Sequence, residues 1–400
     1  RFGLLRFDGK LAIVFLDQHV IRQYGPISRA QIAKKTKITR ATVSEIVNDL
    51  LAEGAIFEGG PDNSPIGRKG ILLNYNSALG YGVGVDLGGT KISLALYDVN
   101  AEIFARKQIS TYDAKTSDQF IAMLVDSIQQ FISEQNRDLS SLQVIGIATP
   151  GIVDYKKGVV VEGSPNLPGW ENLDLSRSIG NVFGVPVVLE NDVRAALIGE
   201  VWKGQCQNVQ NAILISLGTG IGSALLMDGK IIRGAGNAAG EIGYMLFGRE
   251  HLKQNWGNKG CFETLCSGSG LIARVKALSD GIETRKWSTA AELFHSARDG
   301  DLEAVALIDE MIDYLSIAVL NLIATINPER IVLIGGITNS ADYFIDKLNE
   351  NVRKHTFSRT SVHIVVSELK ELAPLFGISI LALSTVQPSI HFLQDIKLIE

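Results

Sequence analysis

Two stretches decide the fold: residues 82–98, GVGVDLGGTKISLALYD, and residues 212–228, AILISLGTGIGSALLMD. Each is an apolar run, a Gly-rich turn and a second apolar run, the pattern of a strand-turn-strand. At an offset of 130 they share Leu87/Leu217, Gly88/Gly218, Ser93/Ser223, Leu96/Leu226 and Asp98/Asp228. A repeat of this kind predicts two similar lobes, with both turns facing a cleft between them. Strand and helix signals alternate through residues 77–385, which predicts an α/β body.

The turns carry chemistry. In Asp86-Leu87-Gly88-Gly89-Thr90-Lys91 the glycines free backbone N–H groups to surround an anion. Thr90 adds a hydroxyl, Lys91 a charge, and Asp86 is suited to a hydrated Mg²⁺. Gly218-Thr219-Gly220 offers a second anion nest. Hairpin turns also take Gly for geometry alone. After the strand VPVVLE come Asn191 and Asp192. An Asp at a strand end can take a proton from a hydroxyl, and both residues are equally favoured as helix N-caps. Glu241 and Glu263 sit in Gly-rich settings suited to sugar hydroxyls, or to plain solvated loops. Asn166 and Trp170 in NLPGW are candidates for the same ligand. An apolar helix is expected over residues 311–326, followed by a strand and Gly335-Gly336, a step that can admit a nucleotide base or simply connect.

Residues 1–76 differ from the body. They carry 11 Lys+Arg and 7 Asp+Glu, a balance of +4, whereas the whole chain is −5, leaving −9 for the rest. A basic head on an acidic body suggests nucleic-acid contact by the head alone. A helix is expected over residues 10–24. Ser28 with Gln31 opens a second helix as a capping box. Thr39 caps a third, in which Val43, Ile46, Val47, Leu50 and Leu51 share a face before Gly54. This is a helix-turn-helix, and the strands that follow form a wing. Ser28, Arg29, Thr39, Arg40, Thr42 and Ser44 are the expected DNA contacts of the helices, with Arg68 and Lys69 at the wing tip.

At 400 residues the chain has room for two or three domains of about 150. Apolar residues at 46% and charged residues at 20% exclude a disordered chain. Three cysteines are too few for a disulfide framework. Residues 1–16 lack the pattern of a signal peptide, and no apolar run reaches 18 residues. A cytoplasmic location without membrane contact is therefore expected. The chain begins at Arg1 rather than Met, so a few preceding residues are expected too.

The motifs together resemble the ROK family of repressors, open reading frames and sugar kinases. They are GPISRAQIA and TRATVS, then DLGGTK, PNLPGW, END, SLGTGIG, GEIG and GNKGCFE in that order. The resemblance runs from about residue 10 to 385 and is to the repressor branch. It implies a two-lobed actin-like ATPase (sugar kinase-like) body behind a winged helix-turn-helix. The implied domains are 1–76, 77–195 and 196–400. It also implies sugar contacts at Asn166, Asn191, Asp192, Glu241, Tyr244 and Glu263, with Asp192 as catalytic base in a kinase. ATP-phosphate contacts fall on Asp86, Gly88, Gly89, Thr90, Lys91, Gly218, Thr219 and Gly220.

One departure is large. Family members usually have GEIGH followed by CxCGxxGC, whose His and three Cys hold zinc. Here those positions are Tyr244, Gln254, Trp256 and Cys261, and one thiolate cannot form a four-coordinate site. No zinc is expected, and packing around Trp256 is expected to hold the loop 244–260.

The expected function is a sugar-responsive DNA-binding regulator of carbohydrate uptake or catabolism. Its partners would be a double-stranded DNA operator, a sugar or sugar phosphate effector, and a second copy in a homodimer, with tetramers left open. No cofactor is needed for DNA binding. The alternative is an ATP-dependent sugar kinase using ATP and Mg²⁺, with or without gene control. A third reading, a body that docks another protein, has no residue that points to a partner.

Overall fold

A computed structural model describes residues 20–21, 24–52, 54–61, 70–76, 80–89, 91–110, 116–163, 170–278, 287–357 and 362–386. Thr90, Asn166, Arg68, Lys69 and most of the helix expected over residues 10–24 lie outside these. Two compact units are present. The first holds residues up to Ile147, Asp174–Val188 and the chain from Ser379. The second holds Ala148–Leu173 and Leu189–Ile378.

In the first unit, the head begins with β1 (Ile27–Ser28) and the helices Arg29–Thr36 and Arg40–Ala52. The strands β2 (Ile56–Pro61) and β3 (Ile71–Tyr75) are antiparallel, and β3 lies between β1 and β2. Val20, Ile21, Ile32, Val43, Ile46, Val47, Leu50 and Leu73 form one apolar cluster. The spacing of Val43, Ile46, Val47 and Leu50 puts all four on the inner face of the second helix. The wing is longer than its apolar residues indicated, because its strands extend through Gly59, Gly60 and Pro61 by way of a bulge.

The same unit holds a five-stranded sheet. Its members are β4 (Tyr81–Leu87), β5 (Lys91–Asp98), β6 (Ile103–Ser110), β7 (Leu142–Thr149) and β10 (Val187–Asn191), in the order β10-β7-β4-β5-β6. The helix Ser117–Glu134 buries Phe120, Leu124, Ile128 and Phe131, a stripe of helical period, and is capped by Thr116.

The second unit holds the short hairpin β8 (Ile152–Asp154) and β9 (Val159–Glu162). Its main sheet has β11 (Ala212–Leu217), β12 (Ile221–Met227), β13 (Lys230–Ile232), β14 (Arg330–Ile334) and β15 (His363–Val366), in the order β13-β12-β11-β14-β15. The two repeated hairpins are both present. Leu87 pairs with Ile92, whereas Leu217 pairs with Ile221, so the second turn is one residue shorter. The helix expected from Met311 begins earlier, at Leu302, and runs to Ile326. Asp301 caps it by accepting from the N–H groups of Glu303 and Ala304, and its first turns bury Ala304, Leu307 and Ile308. Among the described residues no helix is long and apolar enough to cross a membrane.

In the second unit the helix Asp192–Lys203 meets residues 373–378, the start of the helix Ala373–Val386, backbone to backbone. A Cβ on Gly199, in Asp192–Lys203, would overlap the carbonyl of Ala373, and one on Gly377 would overlap that of Ala195. Alanine normally gains up to about 1 kcal/mol over glycine inside a helix. Here the steric conflict is with rigid backbone on both sides. Gly377→Ala is therefore expected to destabilise by about 2 kcal/mol. Urea denaturation checks this, and a stabilised variant would refute the close approach.

Candidate functional site

The head presents its residues in two groups. Ser28 is buried, and its N–H (2.8 Å) and hydroxyl (2.9 Å) both donate to Gln31 Oε1. Its role in this structure is to start the helix. Arg29 donates to Asn48 Oδ1 (3.3 Å) and lies 3.7 Å from Glu58, tying the first helix to the second and to the wing. Thr39 accepts from the Thr42 N–H (3.3 Å) and shares a hydroxyl bond with it (2.8 Å). Ser44 donates back to the Arg40 carbonyl (2.8 Å). Thr39 and Arg40 are exposed at the start of the second helix. The exposed side chains of that N-terminal turn are what a recognition helix offers to a DNA groove.

The candidate sugar site lies in the second unit, where β10 ends and the helix Asp192–Lys203 begins. Asn191 caps this helix, accepting from Val193 N (3.0 Å) and Arg194 N (3.1 Å), and donates to the Gly151 carbonyl (3.1 Å). The cap and the candidate binding residue are thus the same side chain. Asp192 Oδ1 accepts from Val193 N (2.9 Å), and its carboxyl is half-buried. Burial pushes the Asp192 carboxyl up, against the opposing pull of that N–H and of Arg194. Glu241 is exposed, but partial loss of hydration raises its carboxyl, with the charges of Asp192 and Glu263 adding and Arg194 opposing. Tyr244 is exposed and donates to the Asn258 carbonyl (2.7 Å). Trp170 is buried, donating to Thr149 Oγ1 (3.1 Å), so its ring belongs to the core.

Glu263 joins this site to the second Gly-rich turn. Its Oε2 accepts from Ile221 N (2.9 Å). The turn is held from its other side by Gly268 N donating to the Gly218 carbonyl (2.9 Å) and by Ser269 Oγ donating to that of Thr219 (2.7 Å). Gly335, at φ +102°, packs so closely that a Cβ would lie 2.6 Å from the Leu217 carbonyl oxygen. In the first unit Gly88 N donates to the Lys91 carbonyl (2.9 Å), Lys91 and Gly89 are exposed, and Asp86 is half-buried on β4.

Beside Asn191 lies a charge network that the sequence motifs did not reveal. Glu190 is wholly buried. It accepts from Asn191 N (2.9 Å), Arg194 Nε (2.7 Å), and Arg233 Nε (3.0 Å) and Nη2 (2.7 Å). Arg233 also stacks 3.9 Å over the Tyr155 ring. Burial works against the Glu190 charge, but Arg233 and Arg194 outweigh it and hold the carboxyl below its ordinary value. The available signal was an arginine inside the apolar run VRAALIGEVW.

In the loop 244–260, Tyr244, Gln254 and Trp256 occupy the positions singled out in the sequence, and Cys261 follows the loop. Among the described residues no group of three His, Cys, Asp or Glu is arranged for a metal. The loop is held by packing. Trp256 donates to the His251 carbonyl (2.9 Å) and meets its ring edge-on at 5.3 Å, and Phe247 lies 5.2 Å from Tyr314 and 5.3 Å from Phe262. Cys261 Sγ lies 3.4 Å from His251 Nδ1.

Glu190→Gln is expected to destabilise the protein by about 3 kcal/mol at neutral pH, because two buried guanidinium groups lose their counter-charge. The folded Glu190 has a lowered pKa, so its contribution is present above the unfolded value of about 4.3 and is lost as pH falls through the folded one. Denaturation between pH 7 and about pH 3 should show the variant's deficit shrinking on acidification. A constant deficit would refute the charge role.

A model of the ROK family matches residues 82–385. The xylose repressor of Bacillus subtilis is 30% identical over 381 residues, covering 94% of this chain and 95% of the relative. A match of that extent includes most of the head. A glucokinase of Halalkalibacterium halodurans is 30% identical over 292 residues, covering 70% of this chain and 87% of the relative. Among solved structures, a ROK family transcriptional regulator described as a homologue of the E. coli MLC protein aligns over 97% of this chain and all of its own, at a TM-score of 0.78 and 24% identity. Its fold is therefore shared from end to end. On the family match and on repressor relatives that span head and body alike, this chain belongs to the ROK family, on its repressor side.

Proposed function

We propose that the chain is a sugar-responsive repressor that binds a double-stranded DNA operator as a homodimer and leaves it when a sugar occupies the site around Asn191, Asp192, Glu241 and Glu263. The observation that carries this reading is the winged helix-turn-helix joined to a ROK body, with repressor relatives matching 94% of the chain and a glucokinase matching 70%. A single head reads a short half-site, and two-fold symmetry extends it to a palindrome. The carboxylates offer acceptors to ligand hydroxyls, and Asn191 fixes the helix turn that carries Asp192. For release to follow, the sugar must bind the DNA-free form more tightly than the DNA-bound form. The genes controlled would be those of carbohydrate uptake or catabolism. DNA binding needs no cofactor in this reading, and packing replaces zinc in the 244–260 loop.

A second reading, an ATP-dependent sugar kinase, is supported by Asp192. Its raised carboxyl at a strand end suits a general base, and the Gly-rich turns suit ATP with Mg²⁺.

The two are separated on the full chain. DNA from the region flanking its own reading frame is titrated with protein in the presence of xylose, glucose, N-acetylglucosamine or their phosphates. One sugar is expected to weaken binding by about tenfold or more, a coupling of ~1.4 kcal/mol. Arg40→Ala and Arg68→Ala are expected to weaken DNA binding and lower the salt slope by about one each. Unchanged affinity and slope in both variants would refute the head as the DNA reader. ADP release with MgATP and one sugar, abolished in Asp192→Ala, would establish the kinase.

A further inference from the structure

The sugar site has beside it a cation that none of the proposed sugar contacts accounts for. Arg194 is 2% exposed. Its Nε donates to Glu190 Oε1 (2.7 Å) and its Nη1 to the Asn237 carbonyl (3.1 Å). Its Nη2 is buried and has no partner among the described residues. Glu190 is also held by Arg233, so the buried network sets two guanidinium groups against one carboxylate. A buried guanidinium with an orphaned donor costs free energy that an apolar side chain of similar volume would avoid. Packing therefore does not account for it. Two consequences of its placement do. It fixes the backbone at Asn237, four residues before Glu241. It also places the network's surplus positive charge at the start of the helix that carries Asp192.

We propose that Arg194 is a positioning residue of the sugar site, holding the 234–240 loop that presents Glu241 and supplying the cation that keeps Asp192 and Glu241 ready to accept ligand hydroxyls. This rests on the sugar site proposed above. Both carboxyls are pushed up by burial, and Arg194 opposes that shift on each. The other groups facing them are known. The Val193 N–H favours the Asp192 anion, Asp192 and Glu263 disfavour the Glu241 anion, and Glu190 with Arg233 completes the buried network. The Tyr244 hydroxyl feels Glu241, Glu263 and Glu162. Removing the Arg194 cation leaves the Val193 N–H and the backbone of Asp192 itself opposing burial at Asp192 and takes away the one opposing charge at Glu241, so both carboxyls titrate at higher pH.

The test follows the side-chain carboxyl carbons of Asp192 and Glu241 by NMR across pH, in the full chain, with Asp192→Asn and Glu241→Gln to assign the signals. Arg194→Gln is expected to move both midpoints upward, and Arg194→Lys, which keeps the charge, to leave them near the wild-type values. Calorimetry with xylose, glucose and N-acetylglucosamine provides the second readout. The sugar that wild type binds should bind Arg194→Gln about tenfold or more weakly and be lost at a higher pH on acidification. Arg194→Lys should fall between, since it lacks the fork that reaches Asn237 and Glu190 together. Coincident midpoints in wild type and Arg194→Gln would overturn the proposal, as would raised midpoints in Arg194→Lys if Arg194→Gln does not fold. A wild type that binds no sugar while the midpoints move as expected would refute the sugar-site reading and leave the electrostatic role of Arg194 established.

Discussion

The carboxylate of Glu190 is shut off from bulk solvent, so its charge must be met by buried donors. Four N–H groups meet it, from Asn191, Arg194 and Arg233. These donors come from the end of β10, the first turn of the following helix and the residue after β13. Arg233 then reaches Tyr155 in the turn between β8 and β9. One buried charge thereby ties together the β10–helix junction, the residue after β13 and the turn between β8 and β9. Asn191 and Asp192 sit at that junction, and the loop leading to Glu241 hangs from Arg194 and Arg233. Any site these residues form inherits its geometry from the Glu190 interaction. The cost of dehydrating three charges is offset only because the geometry is complete on the carboxylate side.

The parts legible in the sequence are those that depend on short-range rules. The paired hairpins follow from two apolar runs about one Gly-rich turn. The head follows from Ser28 with Gln31, Thr39 as a cap, and a stripe of apolar residues at Val43, Ile46, Val47 and Leu50. END was legible as both a cap and a site, and Asn191 turned out to be the cap. The helix over Leu302–Ile326 was placed too short, because apolar density rises only at Met311. Its first turns are amphipathic, with Ala304, Leu307 and Ile308 inward, and Asp301 marks the true start.

What was not legible depends on partners distant in sequence. Arg233 follows a three-residue strand and looks like a solvated charge, because its partner Glu190 is 43 residues away. The packing of the 244–260 loop was expected around Trp256, but the cluster also draws on His251, Phe247, Phe262 and Tyr314. Tyr314 comes from a helix that begins some forty residues after the loop ends. No local pattern marks it. The short head helix Arg29–Thr36 is too short to be stable alone, and Arg29 supplies the tertiary ties to Asn48 and Glu58 that its length cannot.

Glu263 bears on what the Gly-rich turn means. One of its oxygens is committed to Ile221 N. A Cβ on Gly220 would lie 2.5 Å from the committed oxygen, so the glycine is required for the carboxylate to sit where it does. The carbonyls of Gly218 and Thr219 are likewise taken by Gly268 and Ser269, at the start of the next helix. The turn therefore has a structural duty in placing Glu263, independent of any nucleotide. Gly220 is thus accounted for by the Glu263 carboxylate and the two carbonyls by the helix start, whereas an anion would meet the N–H groups of the turn. The kinase reading therefore rests on those N–H groups together with Asp192.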